Sequence, residues 1–269
     1  MQINLRSLFI PVQPTVKQTS DDVSYYEYHP DPSLRNYIYC YWKLSTRNSL
    51  QKEITYRVVA DGCIDIFFDL DMPKDNFVMG FCKKYTEFQL ENSSNYIGVR
   101  FLPTMFPRIF NVDAGELTDR TEHLGCLVPK TASFIATRFH SGLQTQQVNQ
   151  LLDDHFIQLL KGSVIEPDAR LYNAMDIILM NHGVLCLEKD LDIGLSSRQL
   201  RRLFNFYIGD TAKTFSKVVR FQNILRANPS KQGLHENKLF YSAGYYDQAH
   251  FIKEFKNLYG ITPGKAFGK

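Results

Sequence analysis

Four long hydrogen-bonding side chains, Arg198, Gln199, Arg201 and Arg202, fall within five consecutive positions, with Ser197 just ahead of them. An Arg fork can hold a guanine edge or a phosphate with two parallel bonds, and a Gln amide can do the same for adenine. Leu200, Leu203 and Phe204 recur at i, i+3, i+4, so on a helix the apolar residues and the donors separate onto different sides. A second set follows further on: Asp247, Gln248, Ala249, His250, Lys253 and Lys256, interleaved with Phe251, Phe255 and Leu258. Either set alone is also what a solvated helix face contains. The two together, each on its own helix, ask for an extended polar and anionic target.

The surrounding residues supply the elements that would position them. Ala169–Met180 reads as a helix ended by Asn181-His182-Gly183, and Leu185–Leu191 as a short second helix before a turn at Asp192–Leu195. Ser196 offers an N-cap hydroxyl to a helix over Ser197–Tyr207. Thr211–Arg226 predicts a long helix that buries Phe215, Val218, Val219, Ile224 and Leu225. Pro229 and Gly233 punctuate, Asn237–Ala243 predicts a short helix, and Gly244-Tyr245-Tyr246 a turn. Asp247 then caps a helix over Gln248–Tyr259, which Gly260-Ile261-Thr262-Pro263 stops. The same grammar appears twice, joined by one long helix: an anchoring helix, a turn, and a second helix with an apolar inner face. That is the arrangement of a helix-turn-helix.

Charge follows this division. From Arg170 onward there are 15 Lys+Arg against 8 Asp+Glu, net +7, leaving 16 and 20 in residues 1–169, net −4. A basic third on an acidic body suits a phosphate-binding module attached to a second domain. That second domain reads as strands over 37–44, 55–59, 63–68 and 95–101, separated by Asp61-Gly62, Asp71-Met72-Pro73 and Glu91–Ser94, which predicts a β-barrel or sandwich. After Pro103 the spacing turns helical through Phe106, Ile109 and Phe110, and residues 130–160 read as helix. Val148, Leu151, Leu152, Phe156, Leu159 and Leu160 form a stripe that suits either packing on the domain's own core or self-association. Gly162-Ser163-Val164-Ile165-Glu166-Pro167-Asp168 is the linker candidate, so the expected domains are 1–161 and 169–269. The fold class is α+β.

The residues of the basic third carry a family resemblance. Leu195–Phe204 resembles the first recognition helix of the AraC/XylS family of bacterial transcription regulators. Ala243–Lys256 is similar to the second, and Gly260-Ile261-Thr262-Pro263 to the family's closing signature; Val219–Leu225 also fits. The resemblance covers about 170–267. It implies two helix-turn-helix units whose recognition helices enter successive major-groove segments about one turn (~34 Å) apart. The family's base-facing sites fall on Arg198, Arg201 and Arg202, and on Gln248, Ala249 and Lys253. Asp190 and Phe240 stand where the family favours a small Ala. Asp61–Ile66, Gly98-Val99-Arg100-Phe101-Leu102-Pro103 and Glu116–Arg120 look like a sensor domain of a subset of the family, with an expected cupin-like barrel followed by helices.

Several chemistries are missing from the sequence. Cys40, Cys63, Cys82, Cys126 and Cys186 are dispersed, without a Cys-x-x-Cys pair for zinc or a disulfide framework. The seven histidines include no His-x-His for a cupin metal, and no Gly-x-Ser-x-Gly elbow or phosphate loop is present. No catalytic residue, metal or cofactor is assigned. Arg100 is the one ligand-binding candidate, through a carboxylate clamp, against the alternative of a structural acid as its partner. The tyrosine-rich stretch Tyr25–Trp42 suits a pocket lining or core packing. No apolar run reaches the ~20 residues of a membrane span, and the N-terminus does not read as a signal peptide, so a cytoplasmic protein is expected. The expected partners are double-stranded operator or promoter DNA, a small-molecule effector, a second copy in a homodimer, and RNA polymerase. The alternative is a small-molecule-binding protein whose helix-turn-helix region serves protein interaction.

Overall fold

The computed structural model describes residues 5–14, 23–46, 54–90, 93–161, 168–185, 191, 193–230 and 239–268. A short helix α1 (Leu5–Leu8) leads into the strands β1 (Val23–Tyr28), β2 (Ile38–Thr46), β3 (Ile54–Val58), β4 (Ile64–Asp69), β5 (Asn76–Met79), β6 (Thr86–Leu90), β7 (Asn95–Phe101) and β8 (Thr121–His123). Six of them form one antiparallel sheet in the order β1-β2-β7-β4-β5-β8, and β3 pairs with β6. The Leu185–Leu191 helix expectation and Asp190 and Cys186 fall mainly or wholly outside the described residues, as does most of the 162–168 linker.

Alternation along the strands divides the large sheet into two faces. Tyr41, Ile64, Ile66, Phe68, Ile97, Val99 and Phe101 join the main core. Leu44 faces the other way with Trp42 and Tyr96, and there Val23, Tyr56 and Leu90 complete a second, smaller core beneath the β3–β6 ribbon. The expected closed barrel does not form among the described strands. Helices cover one face and the ribbon covers the other, so both faces are buried without the sheet having to curl onto itself.

The helices of this half are α2 (Met105–Phe110), α3 (Leu124–Leu127), α4 (Pro129–Arg138) and α5 (Thr145–Lys161), with a 3₁₀ turn at Ala114–Leu117. The 130–160 helix of the sequence reading is thus two helices, parted at 139–144 where Gly142 interrupts the pattern. The α5 stripe turns inward: Val148, Leu152 and Phe156 are buried, and Leu151, Leu159 and Leu160 pack against the same core. Inward packing is the simpler of its two readings.

His155 on α5 lies flat on Phe134 (ring centroids 4.0 Å apart, 10° between planes), and Thr131 Oγ1 is 3.1 Å from its Nε2. Burial pushes the imidazole down to about 4. The folded chain therefore binds fewer protons than the unfolded chain between about pH 4 and ~6.5, so stability is lost as pH falls through that window and is constant above it. After allowance for the ring's partial exposure the loss is about 1–2 kcal/mol. Urea midpoints at pH 7 and pH 5 should differ more in the native chain than in a His155→Gln variant. Equal differences in the two would remove His155 from this account.

The basic third contributes α6 (Ala169–Met180), α7 (Ser197–Ile208), α8 (Ala212–Ala227), α9 (Leu239–Ser242), α10 (Gln248–Tyr259) and α11 (Pro263–Ala266). The main core continues without a break from the sheet into these helices. Gln222 on α8 stitches the two halves: its side chain accepts from Val12 N (2.7 Å) and donates to the Ala60 carbonyl (2.8 Å). Leu258 of α10 accepts from Ala60 N (3.1 Å).

Candidate nucleic-acid interface

The first unit is set by its turns. Gly183 closes α6 in the left-handed region (φ +73°), and a Cβ there would lie 2.1 Å from the Ser216 carbonyl oxygen. The chain thus reverses hard against α8, an approach open only to glycine. Ser196 then caps α7 with a full capping box, its hydroxyl taking the Gln199 N–H while the Gln199 amide oxygen accepts from Ser196 N at 3.0 Å. Phe204 and Ile208 are buried, Leu200 and Leu203 half-buried. Arg198, Arg201, Arg202 and Asn205 remain exposed at i, i+3, i+4, i+7. The sequence placed this amphipathic split correctly. It did not show that the Gln199 oxygen is occupied by the cap.

The second unit has its own left-handed turn glycine and capped helix, as the first has in Gly194 (φ +69°) and Ser196. Gly244 (φ +74°) ends α9, Tyr245 is buried, and Asp247 Oδ1 takes the His250 N–H at 2.7 Å to cap α10. Phe251, Phe255, Leu258 and Tyr259 are buried beneath the helix. Gln248, Ala249, His250, Lys253 and Lys256 are exposed, Ala249, Lys253 and Lys256 along one line at i, i+4, i+7. Asp247 is half-buried, and its structural role is the cap. Phe240 is half-buried and packs against the main core, so the larger residue is absorbed in the inter-helix packing.

A joint absent from the sequence reading fixes the second unit on the connecting helix. Glu254, only 8% exposed, receives Arg220 Nη2 at 2.7 Å and Lys217 Nζ at 3.3 Å, with His250 Nε2 at 3.9 Å. Arg220 also donates to the Gly244 carbonyl (3.2 Å) and lies over the Tyr245 ring at 4.2 Å. A lone Glu on an otherwise polar helix face gives no hint in sequence that it is buried. The spacing of Lys217 and Arg220 on α8 was the available signal, but their partner lies on another element.

Between the units runs a groove of about 720 Å³. Ser197 and Arg201 of α7, Lys213 and Lys217 of α8 and His250 of α10 all line it. The exposed N-terminal turns of both candidate recognition helices therefore flank one basic channel. The N-terminal half touches α7 at its far end, where Gly115 approaches Asn205 and the Thr118 hydroxyl bonds to the Gly209 carbonyl. Arg198, Arg201 and Arg202 remain exposed.

Residues 192–268 match a family model described as a helix-turn-helix domain. They form an AraC-type helix-turn-helix domain. Residues 26–123 match a second model, described as a domain of unknown function, DUF6597. No curated protein matches the sequence. Among solved structures, ToxT from Vibrio cholerae O395 bound to (E)-4-(8-methylnaphthalen-1-yl)but-3-enoic acid is similar, at 10% identity, TM-score 0.44, over 92% of this chain and 99% of that one. A crystal form of ToxT from Vibrio cholerae aligns at 12% identity and TM-score 0.38, over 91% and 97%. With its AraC-type module the chain carries the DNA-binding part of a transcription regulator.

Arg100 lies elsewhere, on β7, on the sheet face under the β3–β6 ribbon. Its guanidinium is already held by protein carboxylates: Asp65 Oδ2 at 3.0 Å, Asp61 Oδ2 at 3.3 Å and Glu27 Oε1 at 3.5 Å. The structural-acid alternative describes this geometry. Tyr25 and Trp42 line a pocket beside it, while Tyr41 goes to the core. Among the described residues no group of three His, Cys, Asp or Glu is placed to hold a metal, and no helix is long and apolar enough to cross a membrane.

Proposed function

We propose that the chain is a sequence-specific transcription regulator of the AraC family that reads two successive major-groove segments of an operator or promoter. The observation that carries this is a basic groove lined from both α7 and α10, with the first turns of both helices exposed. In this reading Arg198, Arg201, Arg202, Gln248, Ala249 and Lys253 meet base edges, Ala249 by methyl contact, while Ser197, Lys213, His250 and Lys256 meet phosphates. Gln199 and Asp247 hold the helix starts from which those contacts are made. Residues 1–161 form the sensing and association half, linked through 162–168 to the reading half. A cytoplasmic homodimer that answers an effector and contacts RNA polymerase completes the reading.

Arg202→Ala should weaken operator binding by about 1–3 kcal/mol and relax preference at one base pair. Lys213→Ala should weaken all sequences alike and lower the salt slope by about 1. Selection of bound sequences from a random DNA pool distinguishes the two. An unchanged preference in Arg202→Ala would remove that residue from the reading surface.

A further inference from the structure

The sheet face under the β3–β6 ribbon bears a half-open cavity of about 160 Å³. Its walls are aromatic: Tyr25, Trp42, Tyr56, Phe67, Phe88 and Tyr96. Trp42 stacks between Tyr25 (6.3 Å, 26°) and Phe67 (6.4 Å, 28°), while Phe88 and Tyr96 stand edge-on to Phe67 at 65° and 69°. Gly98 makes this possible, because a Cβ there would sit 1.9 Å from the indole. The indole lies across β7 in the missing side chain's place and donates Nε1–H to Asp65 Oδ2 at 2.8 Å.

The floor carries a buried ion pair. Asp65 and Arg100 stand directly opposite on β4 and β7 and both line the cavity. Arg100 faces three carboxylates, Asp65, Asp61 and Glu27, so one positive charge meets three negative ones. Asp61 is further held by Gln13 Nε2 (2.8 Å) and Cys63 N (3.0 Å), and Glu27 by the Tyr25 hydroxyl (2.7 Å). A carboxylate ligand would find the guanidinium occupied and two surplus negative charges around it. A sugar would find mainly hydrocarbon and ring faces. An organic cation finds ring faces, whose quadrupoles attract positive charge, above a floor whose one guanidinium is already met by three carboxylates.

We infer that this cavity is a binding site for a small organic cation, a quaternary or tertiary ammonium head of about seven non-hydrogen atoms. The size follows from comparison with cavities of about 150 Å³ that hold one benzene. Burial pushes the Asp65 carboxyl up to about 6 against the pull of Arg100. The proposal deepens the effector part of the regulator reading, but no residue lining the cavity lines the DNA-reading groove, so the two stand or fall by different measurements.

Trp42 is the only tryptophan in the chain, so intrinsic fluorescence reports directly on the cavity wall. The full chain is titrated with choline, with the uncharged alcohol in which carbon replaces the choline nitrogen, and with tert-butylacetate as the anion of similar bulk. Choline is expected to quench or shift the emission saturably, at an affinity about tenfold or more above the neutral isostere, with tert-butylacetate inert. Phe88→Leu keeps the wall apolar but removes a ring. It should cut choline affinity several-fold while leaving that of the isostere and the thermal melt nearly unchanged. Equal or tighter binding of the isostere, binding of tert-butylacetate, or no saturable choline response would each overturn the proposal.

Discussion

Replacing Arg100 by leucine is expected to destabilise the fold by about 3–5 kcal/mol, a large part of a typical domain's stability. Arg100 and Asp65 are almost fully buried, at 3% and 2% exposure, and Asp61 is at 8%. Leucine fills the volume but leaves Asp65 and Asp61 facing each other without a cation. The cost is that of stranded charge, not of a lost surface pair, which would be worth about 1 kcal/mol at most. The double variant Arg100→Leu with Asp65→Asn should recover part of the loss, because the amide carries no charge to strand. Urea denaturation followed by circular dichroism measures both. A change below ~1 kcal/mol in the single variant would mean that the Asp61–Asp65–Arg100 cluster does not hold the sheet as described.

The second large effect is on DNA affinity. Arg198, Arg201, Arg202, Lys213, Lys253 and Lys256 are exposed on the reading side or line its groove. If about six cations displace condensed counterions, the logarithm of affinity falls with that of salt at a slope near −5. Binding should then weaken about 10³-fold between roughly 50 and 200 mM salt. The protein-interaction alternative makes the opposite forecast, DNA binding that is absent or flat with salt. Fluorescence anisotropy on a selected duplex separates them. Arg220 and Lys217 are left out of this sum because Glu254 already engages them.

How much of this was legible in the sequence depended on whether the signal was local. The capped helices of the basic third were legible because Ser196, Thr211 and Asp247 satisfy backbone N–H groups within the next three residues, and the apolar period of 3.6 is written alongside. Four of the strands were legible for the same reason. β5 and β8 were not, because Asn76–Met79 is short and Thr121-Glu122-His123 is exposed throughout, leaving no alternation to read. β6 was missed despite its alternation, since charged and amide residues at every second position mimic a loop. Strand order is a tertiary property, so the barrel expectation had nothing local to correct it. Arg100 shows the limit most clearly. The sequence offered an arginine after a glycine, but the three carboxylates that claim it come from β1, β4 and the loop before β4. The cage has the same origin: Gly98 alone looks like a weak point in a strand, and only the packing of Trp42 across it reveals its purpose.

The central claim is that both units read DNA at once, and hydroxyl-radical footprinting of the full chain on a selected operator tests it most directly. The account predicts two protected patches on one face of the duplex, about 10–10.5 base pairs apart. Arg201→Ala with Arg202→Ala should clear one patch, and Gln248→Ala with Lys253→Ala the other. A single patch in the native chain, or two patches that respond to only one of these pairs, would contradict it.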